Sequence, residues 1–269
     1  MRILDAHCHI YPDGIARKAV QAVDRFYDGL PADHYDGTVS TLIETGRGAG
    51  ISRFVVHSVA TKPEQVGSIN RFIARAAEDL NGAFIGMGTM HLDAADLRGD
   101  FEALRALGLK GVKLHPDIQR FNVDDPRAMS IYEMCEDAGL PVCVHTGDYR
   151  YDYSNPPRVA CILHAFPRLK FIGAHFGGWS VWDEAAKLLT DFPNITVDSS
   201  STFYALKPEK VRALIRTWGT ERVMFGTDYP LWPQQRDIDY LLKLNLTDDD
   251  YRRIFWDNAA ALFGMTSDN

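Results

Sequence analysis

Cysteine is scarce: Cys8, Cys135, Cys143 and Cys161 are spread over 269 residues, and no two form a Cys-x-x-Cys pair. So few thiols make no disulfide framework for a chain this long, and a reducing cytoplasm is the expected location. No run of 18 apolar residues occurs, which excludes a transmembrane helix and a membrane partner. Basic charge is short as well. With a net charge of -7, no basic surface for a phosphate backbone is expected, and nucleic acid is excluded as a partner. The N-terminus lacks the charged, apolar and small-residue order of a signal peptide. No Gly/Ser linker, low-complexity tract or charge run divides the chain, so residues 1–269 read as one domain. What remains, 46% hydrophobic and 24% charged, is the composition of an ordinary globular enzyme with a generous core.

Eight short apolar runs, most of them rich in Val, Ile and Phe, recur at 3–9, 53–59, 83–90, 111–115, 141–145, 170–175, 194–199 and 222–228. Most are nearly continuous, as parallel strands buried on both faces must be. Helical periods separate them. Over 64–80, Val66, Ile69, Phe72, Ile73 and Ala76 share a face. The stretch 127–139 ends in Gly139 before Pro141, Ser180-x-x-Asp183 resembles a capping box opening a helix through Leu189, and 208–218 and 237–244 follow the same pattern. Strand alternating with helix eight times predicts a (β/α)8 TIM barrel of the α/β class. The first connection, 11–52, is long. Its Gly/Pro/Asp-rich part, 12–37, reads as a loop insertion over the barrel mouth, followed by a helix over 39–47.

Alternate residues of a strand share a face, so in Asp5-Ala6-His7-Cys8-His9 the two histidines point one way and Cys8 the other. Other polar residues also close strands: Lys113 and His115 the fourth, His145 the fifth, His175 the sixth, Asp228 the eighth. Side chains from so many strand ends converge only if the strands close into a ring, which separates a barrel from a doubly wound open sheet. Burying this many polar groups without a purpose is expensive, so the set points to one nitrogen/oxygen cluster rather than to core polarity.

At these residues the chain resembles the amidohydrolase superfamily, in its amidohydrolase-related (amidohydrolase-2) branch, which includes the aminocarboxymuconate-semialdehyde decarboxylase-like enzymes. The matching pieces are Asp5-Ala6-His7-Cys8-His9, Gly111-Val112-Lys113-Leu114-His115-Pro116, Val144-His145-Thr146-Gly147, Gly173-Ala174-His175-Phe176-Gly177-Gly178 and Phe225-Gly226-Thr227-Asp228-Tyr229-Pro230. The closing Asn258-Ala259-Ala260-Ala261-Leu262-Phe263-Gly264 completes the order. The resemblance implies a divalent metal, zinc first, held by His7, His9, His145 and Asp228, with Asp228 and His175 as the catalytic acid/base groups. One ion per chain is favoured. A second stays open, because Lys113 lies in a Lys-Leu-His-Pro stretch similar to the strand of dihydroorotase-like relatives that carries a metal-bridging lysine, and His175 stands beside it.

His115 is expected to touch substrate, as are Arg150 and Tyr151 of the aromatic segment Tyr149–Tyr153 and Trp179 after the sixth strand. Asp198 and Ser200 could reach the site from the seventh strand, Trp232 could wall it, and His57, His91 and His164 are assigned no role. The expected activity is a metal-dependent hydrolase directing metal-bound hydroxide at an amide, ester or lactone carbonyl of a small, carboxylated substrate. The alternative is a lyase, decarboxylating or hydrating an unsaturated or aromatic carboxylic acid. A non-catalytic binding barrel ranks third, since a mere binder needs no acid/base pair. A small molecule is the expected partner, and self-association into a homo-oligomer is left open.

Overall fold

In the computed structural model, which describes residues 1–265 apart from positions 31, 33 and 81, the apolar runs become nine short parallel strands. They are β1 (Leu4–His9), β2 (Arg53–His57), β3 (Phe84–Gly86), β4 (Gly88–Thr89), β5 (Val112–Leu114), β6 (Val142–Val144), β7 (Phe171–Gly173), β8 (Ile195–Asp198) and β9 (Val223–Met224). β3 and β4 are one barrel position interrupted at Met87. Met87 N bonds to Val56 O at 2.9 Å and Gly88 N to Gly111 O at 2.9 Å, so the ladder crosses the break. At the seam Ala6 N donates to Phe225 O at 2.8 Å, Asp228 N to His7 O at 2.9 Å and His9 N to Tyr229 O at 2.7 Å. The first and last strands are therefore neighbours, and the fold is the closed (β/α)8 TIM barrel, a single unit spanning the described residues.

The helices are α1 (Asp13–Phe26), α2 (Val39–Gly48), α3 (Val66–Asp79), α4 (Leu97–Ala106), α5 (Pro116–Gln119) and α6 (Pro126–Ala138). They continue with α7 (Pro156–Ala165), α8 (Trp182–Leu189), α9 (Pro208–Trp218), α10 (Gln234–Leu242), α11 (Asp248–Arg252) and α12 (Asn258–Leu262). Proline opens α5, α6, α7 and α9, where its fixed φ and missing N–H cost nothing. Gly139, at φ 65°, closes α6.

Two local expectations change. The stretch 12–37 is not all loop, because α1 occupies half of it. Its buried stripe is made of small residues such as Ala16 and Val20 between Lys, Arg and Gln, and the Pro, Asp and Gly that bracket it disguise a helical period. Ser180 does not cap α8. It adopts φ 64°, its Oγ accepts the Tyr149 N–H at 2.9 Å, and α8 starts at Trp182 without a side-chain cap.

Apolar side chains form two bodies. The larger fills the space between strands and helices. The smaller, including Leu4, Ala6, Val55, Met87, Cys143, Ile172 and Met224, fills the barrel lumen and is plugged by Trp256. A register shift between Asp5 and Cys8 changes the parity of β1. Below it Leu4 and Ala6 belong to the lumen packing, and above it His7 and His9 point inward while Cys8 packs outward. A bulge thus places consecutive residues on the inner side. Among the described residues no helix is long and apolar enough to cross a membrane, and all four cysteines are free.

Candidate active site

The rim of the barrel holds a cavity of about 630 Å3 lined by His7, His9, Lys113, His115, His145, His175 and Asp228. All seven residues that the sequence grouped into one cluster reach this space, whereas Asp198 and Ser200 do not line it. Backbone geometry contributes: His175 has φ 60° and Asp228 φ 64°. Left-handed backbone at a non-glycine residue costs roughly 1–2 kcal/mol and persists where surrounding structure holds it. At Asp228 the holding group is Asp5, which accepts from Thr227 N at 3.0 Å and from the Thr227 hydroxyl. Gly226 stands directly behind His7. A Cβ there would lie 3.0 Å from the His7 Cβ, so glycine alone lets the two strands come together with the imidazole in place.

Fixed donors and acceptors determine the imidazole tautomers. His7 Nδ1 lies 2.9 Å from Asp198 Oδ2, a carboxylate that can only accept, so Nδ1 carries the proton and Nε2 presents a bare lone pair. His175 Nδ1 donates to the Ser200 carbonyl at 3.0 Å, which leaves its Nε2 to accept from His145 Nδ1 at 2.9 Å. His145 Nε2 is then bare as well. It is buried without a hydrogen-bond partner among the described residues, 3.8 Å from Asp117 Oδ2. His115 Nδ1 accepts the Ile118 N–H at 3.3 Å, so its Nε2–H faces the Tyr27 hydroxyl at 3.0 Å. Burial keeps these rings neutral. It lowers His7, His9, His115 and His145 well below the usual imidazole value and His175 to about 4. Burial also raises Asp228 to about 6, opposed by the hydrogen bond from Ser201.

The floor is built for a cation. His7 Nε2 lies 3.3 Å from His9 Nε2 and 3.4 Å from Asp228 Oδ1, and His9 Nε2 is 3.5 Å from the same oxygen. Two imidazoles and a carboxylate with ligand atoms this close could hold a divalent ion with nitrogen/oxygen preference, and Asp198, which fixes the His7 tautomer, stands where such sites place an outer carboxylate. Lys113, fully buried, adds its ammonium 3.2 Å from His7 Nε2 and 3.5 Å from Cys143 Sγ. His145 stands apart from this trio. It groups instead with His115 and Asp117, whose candidate ligand atoms lie within 4.8 Å of one another, and its ring is stacked 4.0 Å from that of His115.

The remaining expected contacts divide. His115 lines the cavity, whereas Arg150 is engaged elsewhere. Its guanidinium binds Asp148 Oδ2 at 2.7 Å and the Phe26 carbonyl at 2.7 Å, and lies over the rings of Phe26, Tyr27, Tyr151 and Trp179. Tyr151 stacks on Phe26, and Trp179 packs edge-on against Tyr27. All three therefore support the insertion that walls the cavity. Tyr27 itself was not foreseen, since it ends a helix that the sequence hides. Nor was Asp117, though it lies two residues past His115, or Ser201, in the Ser/Thr run after β8. His57 is buried with neither ring nitrogen partnered among the described residues, its ring edge-on to those of His7 and His9 at 4.7 and 4.4 Å.

Comparison with known proteins agrees with this architecture. The 2-amino-3-carboxymuconate-6-semialdehyde decarboxylase of Dictyostelium discoideum is 25% identical over 202 residues, which span 60% of this chain and 55% of that protein. An uncharacterised TIM-barrel protein from Bordetella bronchiseptica superposes with a TM-score of 0.82 at 23% identity, covering 98% of this chain and 99% of the other. A putative 2-pyrone-4,6-dicarboxylic acid hydrolase from Pseudomonas putida gives a TM-score of 0.66 at 21% identity, over 98% and 97% of the two chains. The amidohydrolase family matches from residue 4 to residue 265, and with that span this chain belongs to it.

Proposed function

We propose that the chain is a metal-dependent decarboxylase of a small unsaturated or aromatic carboxylic acid. The observation that carries this reading is the contrast within one cavity: a polar floor of His7, His9, Lys113 and Asp228 beneath a wall of Val20, Val23, Phe26, Ile69, Phe72 and Ile118. A carboxylate is drawn to the cationic floor while its carbon skeleton meets apolar surface. Losing CO2 disperses the carboxylate's localised charge, and a wall that excludes water favours that change. Hydrolysis, by contrast, must admit water and build an oxyanion. The Dictyostelium relative, a decarboxylase by name, supports the same choice.

His7, His9 and Asp228 would hold the ion, with His145 the next nearest candidate. When bound, the ion supplies positive charge for a substrate oxygen. The chain's own groups do the rest. Lys113 Nζ donates to the carboxylate and holds it against the floor. The carbon that loses CO2 keeps the bonding pair and takes a proton. That proton comes from water, and Asp228 is placed to relay it to the carbon, with Oδ2 fixed by Ser201 and Oδ1 facing the floor. His175 is neutral, tethered through Nδ1 to the Ser200 carbonyl, and by accepting from His145 Nδ1 it keeps the His145 Nε2 lone pair turned away from it.

A hydrolase reading uses the same floor, with Asp228 taking a proton from water and a lactone or ester as substrate. It draws on the Pseudomonas neighbour's printed name, a likeness of fold. Two labels separate the readings. With carboxyl-13C acids in D2O, the decarboxylase releases 13CO2 and gains one deuterium at the vacated carbon. In H2(18)O, the hydrolase places 18O in its product and releases no CO2. No 13CO2 from a panel of unsaturated and aromatic acids, by metal-loaded enzyme, overturns the first reading.

A further inference from the structure

Two imidazoles turn N–H groups, not lone pairs, toward the hydroxyl of Tyr27. His115 Nε2 lies 3.0 Å from it and carries a proton, because Nδ1 of the same ring accepts the Ile118 N–H at the start of α5. His145 Nδ1 lies 3.5 Å from it and is protonated too, with that hydrogen given to His175 Nε2 at 2.9 Å. A phenol oxygen can accept from such donors, but its own hydrogen can be given to neither. Among the described residues no other group lies within hydrogen-bond reach of this hydroxyl, so its O–H has no acceptor.

The ring that bears this hydrogen is held in place. Tyr27 caps the C-terminal end of α1, packs edge-on against Phe26 at 4.9 Å and Trp179 at 5.1 Å, and lies under the Arg150 guanidinium at 5.1 Å. It lines the cavity, yet its hydroxyl touches His115 and His145 rather than His7, His9 or Asp228. The unspent donor and the carboxylate-holding Lys113 are thus separate features of one space. Arg150, the cation over the Tyr27 ring, is already paired with Asp148 at 2.7 Å, and Asp117 stands 3.8 Å from His145. A second carboxylate would gain no free counter-charge here, whereas a neutral oxygen needs only the O–H. Leaving a fixed donor unmet costs more than a hydrogen bond returns, so a ligand that brings this oxygen is selected over one that does not.

We infer that Tyr27 is a specificity-determining residue, whose hydroxyl donates to a neutral oxygen of the substrate set apart from the reacting carboxyl. This rests on the decarboxylase reading for where the carboxyl lies, but not for the binding itself. The test is titration calorimetry of the full metal-loaded chain with the three acetylbenzoate isomers and their isopropenyl counterparts, in which C=CH2 replaces C=O. At least one acetyl isomer is expected to bind about 5-fold tighter than its alkene partner. In Tyr27→Phe that ratio falls to within about twofold, while the alkenes bind as before. A chain carrying 3-fluorotyrosine at position 27 gives a second reading should that variant fail to fold. Its 19F signal is expected to move further with the preferred acetyl ligand than with the matching alkene. No acetyl preference in any pair, a preference that survives Tyr27→Phe, or a fluorine signal that answers both ligands equally overturns the assignment. A chain that shows the preference yet releases CO2 from no acid loses the decarboxylase reading alone.

Discussion

Asp198 works by holding a proton that stays on His7. Its carboxylate holds the His7 Nδ1–H and, through Oδ1, receives the Ser200 N–H at 3.1 Å and the His175 N–H at 3.2 Å. Asp198→Asn can turn an N–H toward Nδ1 and reverse the tautomer. Metal affinity is then expected to fall about 10- to 100-fold, read by competition with a chromogenic chelator; a change under threefold would remove Asp198 from this role. A second buried acid lies outside the cavity. Burial raises Asp237 to about 7, opposed by Arg236 at 2.7 Å. Because the folded chain binds that proton more tightly than the unfolded one, the contribution is full below about pH 4 and is lost as pH rises through about 7. Asp237→Asn should therefore flatten the decline in unfolding free energy across that window by at least about 1 kcal/mol, measured by urea titration at several pH values.

At the scale of elements, α1 turns a barrel into a cavity, and its attachment is local. Its C-terminal end offers the Phe26 carbonyl, which Arg150 takes while stacking on the rings around it. Arg150→Met removes that bond and the charge. Hydrogen exchange over 13–27 is expected to accelerate at least about 10-fold while the β5–β9 ladder keeps its protection; unchanged exchange in α1 would mean the helix is held by packing alone. The same region shows why some of the site was hard to read in advance. The strands were legible because continuous Val/Ile/Phe runs have few other uses, and the strand-end histidines because alternation is rigid. α1 was hidden by small apolar residues and by Pro12, Asp13 and Gly29 at its edges, so Tyr27 was hidden with it. Arg150 looked like a substrate cation since nothing in its neighbours' order reveals that Asp148 and Phe26 occupy it. Asp198 was visible as a strand end, but its bond to His7 joins residues 191 apart and needs the closed ring to exist.

For the molecule as a whole, the proposed ion on His7, His9 and Asp228 would bind only the folded chain, which would link loading to stability. Removing metal with a chelator is expected to lower Tm, and returning excess zinc or manganese to restore it; at 100 times the dissociation constant the ion adds about 2.7 kcal/mol. A Tm indifferent to chelation would argue against a cation at this floor. The closed barrel followed from the sequence because polar residues capped strands from the first to the last. The cavity's depth did not, since it depends on an insertion packed across the rim.

The seam of the barrel has one more consequence. Asp228 N is bonded to the carbonyl of His7, so the contact that zips the sheet shut also sets two of the proposed ligands side by side. During synthesis His7 and His9 emerge more than two hundred residues before Asp228 leaves the ribosome. A nascent chain stalled before that point carries a pair of histidines and no pocket. On the proposed ligand set, metal acquisition would be a late event, reserved for polypeptides that have already completed their circle.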